Sequence, residues 1–359
     1  MSESPSAPST GSLGLYRLAA FVIVVAGMKA ASTIVVPILA AVFVAVVSLP
    51  PTAFLVRLGV RRWLATLTVF FIVMMLGLGT AAIVASTATS FASELPAYQE
   101  MLQAKIYEGV DWFREKGANI TREQVDDVLD PGLLFPFLQR TLTSFVGLLQ
   151  DTTFVLLTVI FILMELTAIP NKVRAIAPPG NGQETLERWR VVLGDLSGYL
   201  VVKTVTSAVT GVLAGVGCWF FGLPYAIVLG LIAFVLNYVP SLGSIIASVP
   251  AILVALVLQG FGTAVGVAIL YLFINVSIGS LTEPRIMGRR MGLSPLIVFL
   301  SLVFWGFILG PVGMFLSVPL TMIVKILLEG TEDLRWVAIV LGPGEPDLRP
   351  SPARATRDQ

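Results

Sequence analysis

From Trp63 to Thr89 the chain carries no charged side chain, and comparable stretches recur along its length. About 20 apolar residues suffice for a helix to cross a hydrocarbon core about 30 Å thick. Repeated runs of that size must be buried in protein or covered by lipid, and composition decides between the two. Hydrophobic residues make up 56% of the 359 and charged residues 13%, against about 25% charged in an ordinary soluble domain. A soluble fold of this size cannot hide so much apolar surface. The reading is therefore an all-α integral membrane protein with about 8 hydrophobic helical segments.

Met1 to Gly14 is rich in Ser, Pro and Gly and reads as a disordered tail. Leu15–Val35 and Pro37–Phe54 are the first two apolar runs, and the short joint "KAASTIVVP" suggests an antiparallel pair. The first run holds Lys29 and flows into the second, so a retained helix is expected rather than a cleaved leader. Trp63–Thr89 completes a three-helix block over residues 15–90. Residues 91–140 form the long polar segment, with Glu94, Glu100, Glu108 and Asp111 among its acids. Leu102, Ile106, Val110 and Phe113 recur there at helical spacing, which indicates amphipathic helices outside the bilayer or at its edge. Residues 141–330 form the expected membrane core, and residues 331–359 a cytoplasmic tail. Lys and Arg concentrate on the cytoplasmic side of membrane proteins. Arg57, Arg61 and Arg62, the stretch Lys172–Arg190 and the stretch Arg285–Arg290 fall on one side by this count. The acidic segment then lies outside and both termini inside.

Two apolar runs of the core are interrupted. Leu223–Gln259 breaks at "NYVPSLGS", residues 237–244, and Pro295–Leu328 breaks at "LGPVG", residues 309–313. Short helices joined by a Gly/Pro break make helical hairpins that need not cross completely. Irregular backbone at membrane depth is tolerated only beside protein or a water-filled cavity, and paired interrupted segments point to a transporter's binding site. Asn237, Pro240, Gly243, Gly310, Pro311 and Gly313 are therefore pathway candidates. The plain alternatives are surface loops for the breaks and an interhelical hydrogen bond for Asn237.

Ionisable residues in apolar runs are costly and mark function by default. Glu283 either couples transport to a proton or sodium ion or pairs with Arg285, Arg289 or a neighbouring helix. Lys203 either lines a cytoplasmic entrance or snorkels from a helix end. "TGVLAGVG", with Gly211, Gly215 and Gly217, suits close helix packing. The chain has no histidine and a single cysteine, Cys218. A serine–histidine triad is excluded, a disulfide within the chain is impossible, and neither metal nor organic cofactor is expected. No Walker lysine motif is present, so an ion gradient or the solute's own gradient is the expected energy source.

The stretches "NYVPSLGSIIASVPAILVAL" and "LTEPRIMGRRMGLSPLIVFLSLVFWGFILGPVGMFLSVPLTMIVKILLE", with the late "LGPGEP", resemble the autoinducer-2 exporter family of bacterial membrane proteins. The resemblance runs from about Leu15 to Pro346. It implies a multi-pass transporter of the bacterial inner membrane, not an enzyme, assembled as a homo-oligomer such as a pentameric ring. Some members of that family are tied to export of a small furanone-type signal and others to sodium–proton exchange. Secondary transport of a small polar solute is the leading expectation. A passive channel and a non-transporting membrane scaffold are the alternatives. No nucleic-acid partner is expected, since the net charge is +1 and there is no basic tract.

Overall fold

The computed structural model describes residues 10–115, 152–165, 172, 182–240, 242–287, 292–329, 331 and 334–342. These residues form helices α1 (Thr10–Ala30), α2 (Ser32–Arg57), α3 (Arg62–Glu115), α4 (Thr152–Glu165) and α5 (Gly182–Phe220). Then come α6 (Ala226–Leu236), α7 (Gly243–Gln259), α8 (Phe261–Ile274), a π-helical segment (Asn275–Thr282) and α9 (Glu283–Met287). The chain continues as α10 (Pro295–Phe315), α11 (Ser317–Glu329) and α12 (Arg335–Leu341). No strand occurs among the described residues, so the all-α reading holds. Parts of the predicted polar segment and of the first stretch of the expected membrane core, Gly288, Arg289, Arg290 and the tail beyond Gly342 lie outside the described residues.

Among the described residues, five stretches are long and apolar enough to cross a membrane: Ser32–Arg57, Arg62–Thr80, Arg190–Phe220, Phe261–Met287 and Pro295–Phe315. Their outward faces carry Phe71, Met75, Leu76, Phe220, Phe273 and Leu300, all well exposed. A surface of that chemistry is matched to lipid, not to water.

The joint between the first two helices differs from the expected antiparallel pair. Ala31 alone separates them, with φ −88° and ψ 5°. Its N–H donates to the Gly27 carbonyl and its own carbonyl accepts from Val35, so helical bonding runs on through the joint. A reversal needs a loop of about 2–5 residues. The chain bends instead, and α1 lies on α10, where Phe21 stacks on Phe304 at 6.2 Å.

α3 also differs in extent from its apolar run. It continues unbroken into the polar segment as far as Glu115. Its 54 residues span about 81 Å at 1.5 Å per residue. The change near residue 90 is a change of composition along one helix. Tyr225, in the turn before α6, donates its hydroxyl to the Glu94 carboxylate at 2.8 Å.

Two buried clusters frame the core. One joins α5, α6, α7 and α8 through Ala214, Cys218, Ile232, Ala251, Val267 and Tyr271. The α5–α6 contact is backbone on backbone, since a Cβ on Gly230 would stand 2.7 Å from the Gly211 carbonyl. The small residues of "TGVLAGVG" therefore act in packing. The second cluster ties α2, α5 and α11 to α9 through Val46, Tyr199, Leu200, Val318, Met322 and Met287. It holds the end of the α8–α9 run against the middle of α5.

Candidate functional site

α5 changes character at Lys203. Before it the helix carries charge, and after it neither α5 nor any residue up to Thr282 is charged. One face of α5 stays polar and buried past that point: Lys203, Ser207 and Thr210 recur at helical spacing, each 4% exposed or less. This face looks onto the first break.

Both interrupted runs are broken in the structure. α6 has only 11 residues, about 16 Å, half of a hydrocarbon core. The chain then turns through Asn237–Pro240, where the Pro240 carbonyl accepts from the Leu242 N–H at 2.6 Å. α7 starts at Gly243, where any Cβ would collide with the Leu236 carbonyl. Glycine is required there by close approach. In the second run Gly310 adopts φ 68° and ψ −150° inside α10. Among the described residues no atom lies within 4 Å of where its Cβ would be, so the constraint is conformational, in a region essentially reserved for glycine. Pro311 follows it, and Gly313 passes so near the Trp305 carbonyl that a Cβ has no room.

The first break is tied to α5 by two hydrogen bonds. The Asn237 amide donates to Ser207 Oγ at 3.0 Å. The Tyr238 hydroxyl donates to Thr204 Oγ1 at 2.8 Å. Tyr238 also bridges to the second hairpin. Its ring stacks on Phe315 with centroids 4.4 Å apart, and both meet the edge of Phe43 on α2, at 5.8 Å and 5.1 Å. Three rings from α2 and the two interrupted segments thus close on one another.

Beside this stack lies a buried ion pair. Lys203 Nζ stands 2.6 Å from Glu283 Oε1, and the side chains are 5% and 12% exposed. Lys203 does not snorkel, and the partner of Glu283 is a lysine on α5. Arg285, the arginine nearest in sequence, points outward. A charge at membrane depth is tolerated when it faces the bundle interior and pairs. Taking two ions out of water costs several kcal/mol each, however, and such a pair is a poor device for stability alone. The buried Thr210 hydroxyl, one turn beyond Ser207, has no hydrogen-bond partner among the described residues.

The site residues named from sequence thus divide. Lys203, Asn237 and Glu283 come together on or against one face of α5, with Pro240 and Gly243 in the adjoining turn. Gly310, Pro311 and Gly313 shape the second break, which reaches the same region through Phe315. Arg285 stays apart. Ser207, Thr204, Tyr238, Phe43 and Phe315 were not foreseen. A signal for the ion pair was present, since Lys203 and Glu283 are the two charges that bound the long uncharged stretch.

Two interrupted helical runs that meet beside a buried charge pair, inside a bundle with an apolar outward face, suit a multi-pass membrane transporter. The chain belongs to the AI-2E transporter family, whose profile matches residues 18–333. It is 38% identical over 325 residues to the AI-2 transport protein TqsA of Escherichia coli K12, covering 90% of this chain and 94% of that protein. It is 35% identical over 348 residues to the putative transport protein YhhT of the same strain, covering 97% and 99%. It is 37% identical over 336 residues to a putative transport protein of Haemophilus influenzae, covering 92% and 96%.

Proposed function

We propose that the chain is a secondary transporter of a small polar solute, working by alternating access around the two broken helices. The Lys203–Glu283 pair and the Phe43–Tyr238–Phe315 stack form its closed gate. The observation that carries this reading is the nearly complete burial of a lysine–glutamate pair beside the meeting point of both interrupted segments. A pair that is costly to bury and sits against irregular backbone is suited to being broken and remade.

In the closed state Glu283 is neutralised by Lys203. When the gate parts, the free carboxylate takes up a proton or sodium ion, and the exposed Asn237 amide, Ser207 and Thr210 hydroxyls offer hydrogen bonds to a neutral polar solute. Near absence of other buried charge among the described residues fits a solute that is not strongly ionic. One relative is named an AI-2 transport protein, so that furanone-type signal is the first solute to try, in the export direction. The bias of Arg57, Arg61, Arg62 and Arg285 supports a cytoplasmic location for those ends in a bacterial inner membrane. The short legs α6 and α7 are then a re-entrant hairpin.

The test is flux in proteoliposomes, with AI-2 and a panel of small polar solutes, under imposed proton or sodium gradients. Accumulation against the solute gradient that collapses with the ion gradient is expected, and Glu283→Gln should abolish the ion dependence. Flux that never runs uphill would make the protein a channel. A Glu283→Gln variant with unchanged ion dependence would remove Glu283 from coupling.

A further inference from the structure

The π-helical segment Asn275–Thr282 lies directly before Glu283. π-Helical turns are rare, usually single, and concentrate at functional sites. Here the wide register runs up to the ion pair: the Glu283 N–H donates to the Ile278 carbonyl, five residues back. The Thr282 hydroxyl donates to the Ser277 carbonyl, again five residues back, at 2.6 Å.

The head of the segment is fastened to the first break. The Ser244 hydroxyl, one residue into α7, donates to Asn275 Oδ1 at 2.8 Å. Gly279 makes room for this bond, since a Cβ there would stand 2.9 Å from Asn275 Oδ1. The two sides of the first break are thus bound to the two carriers of the ion pair. Asn237 and Tyr238 hold the α5 segment that carries Lys203. Ser244 holds the turn that ends on Glu283.

We infer that Asn275 is a positioning residue: its bond to Ser244 keeps the turn in π register, and that register aims Glu283 at Lys203. Closing the turn to α register advances every later residue by about one helical position, roughly 100° around the axis. Glu283 then moves to the azimuth of Pro284, which is exposed, and leaves Lys203. Ile286, 53% exposed, takes the azimuth of Met287, 3% exposed, and Met287 leaves its buried seat. Movement of the first break and release of the ion pair become one event. The inference rests on the gate reading for its purpose, but the geometry is tested without any solute.

The test uses the full chain in lipid nanodiscs, with Cys218 replaced by alanine and a single reporter, Ile286→Cys or Met287→Cys, labelled by a water-soluble maleimide. In the parent background Ile286→Cys should label fast and Met287→Cys slowly. Asn275→Ala, and separately Ser244→Ala, should slow the first by about tenfold and speed the second comparably, as expected when one population replaces another. Gly279→Ala should act in the same direction. Asn275→Asp keeps an oxygen acceptor for Ser244 and should restore the parent pattern. A folded Asn275→Ala variant with unchanged labelling overturns the inference. So does a rise at both reporters, which is the mark of simple fraying. Either failure leaves the flux test of the gate standing.

Discussion

Removing one member of the Lys203–Glu283 pair should cost far more than removing both. At 2.6 Å and an effective dielectric of about 20, the Coulomb attraction is about 6 kcal/mol. Desolvating two ions costs several kcal/mol each, so the intact pair stands near break-even against an apolar replacement. Lys203→Met leaves a carboxylate without its cation, and Glu283→Leu leaves an ammonium without its anion. Each should cost about 3–5 kcal/mol, the range for breaking a buried pair. The double variant Lys203→Met/Glu283→Leu strands no charge and should lie near the parent or up to about 1–4 kcal/mol above it. Thermal unfolding of the purified chain in nanodiscs reads this out. At about 2 °C per kcal/mol, the value for larger domains, each single variant should melt roughly 6–10 °C lower and the double variant should recover. Singles within about 2 °C of the parent, with an additive double, would mean that the two groups do not depend on each other. The pair would then not act as a gate.

Two further substitutions test the packing that sets the gate in place. Gly230→Ala puts a methyl group 2.7 Å from the Gly211 carbonyl; the overpacking should cost about 1–3 kcal/mol in the same melting assay, and a parent-like melt would contradict backbone contact between α5 and α6. Gly310→Ala meets no neighbouring atom among the described residues, so its expected cost of about 1–3 kcal/mol is that of the backbone conformation; an unchanged denaturation midpoint would show that the kink does not require glycine.

The apolar runs were legible because lipid asks little of a sequence beyond length and the absence of charge. The two breaks were legible for a related reason: Pro240, Gly243, Gly310 and Pro311 act on their own local backbone. Composition misplaced what depends on backbone continuity. The polar residues after Thr89 suggested a new segment, yet α3 runs on through Ser, Glu and even Pro96 to Glu115. The joint at Ala31 holds no Gly or Pro, and helical bonding carries through it. Partners could not be read at all. Glu283 had arginines close by in sequence, but its neighbour in space depends on how α9 docks on α5, which the packing of Met287 among Tyr199, Leu200 and Met322 determines. The hydroxyl and ring contacts of Tyr238 depend in the same way on three helices meeting.

Lys203 and Glu283 are 80 residues apart, and this separation orders the birth of the protein. At about 5–20 residues per second, Lys203 is made some 4–16 s before its counter-ion exists. An unpaired ammonium in an apolar setting is costly, so Lys203 has reason to stay near water until its partner is made. Everything synthesised in that interval is uncharged and can enter the bilayer freely. The ion pair itself can form only once Glu283 has been made. The charge pair therefore closes only after the whole first hairpin and α8 have been synthesised.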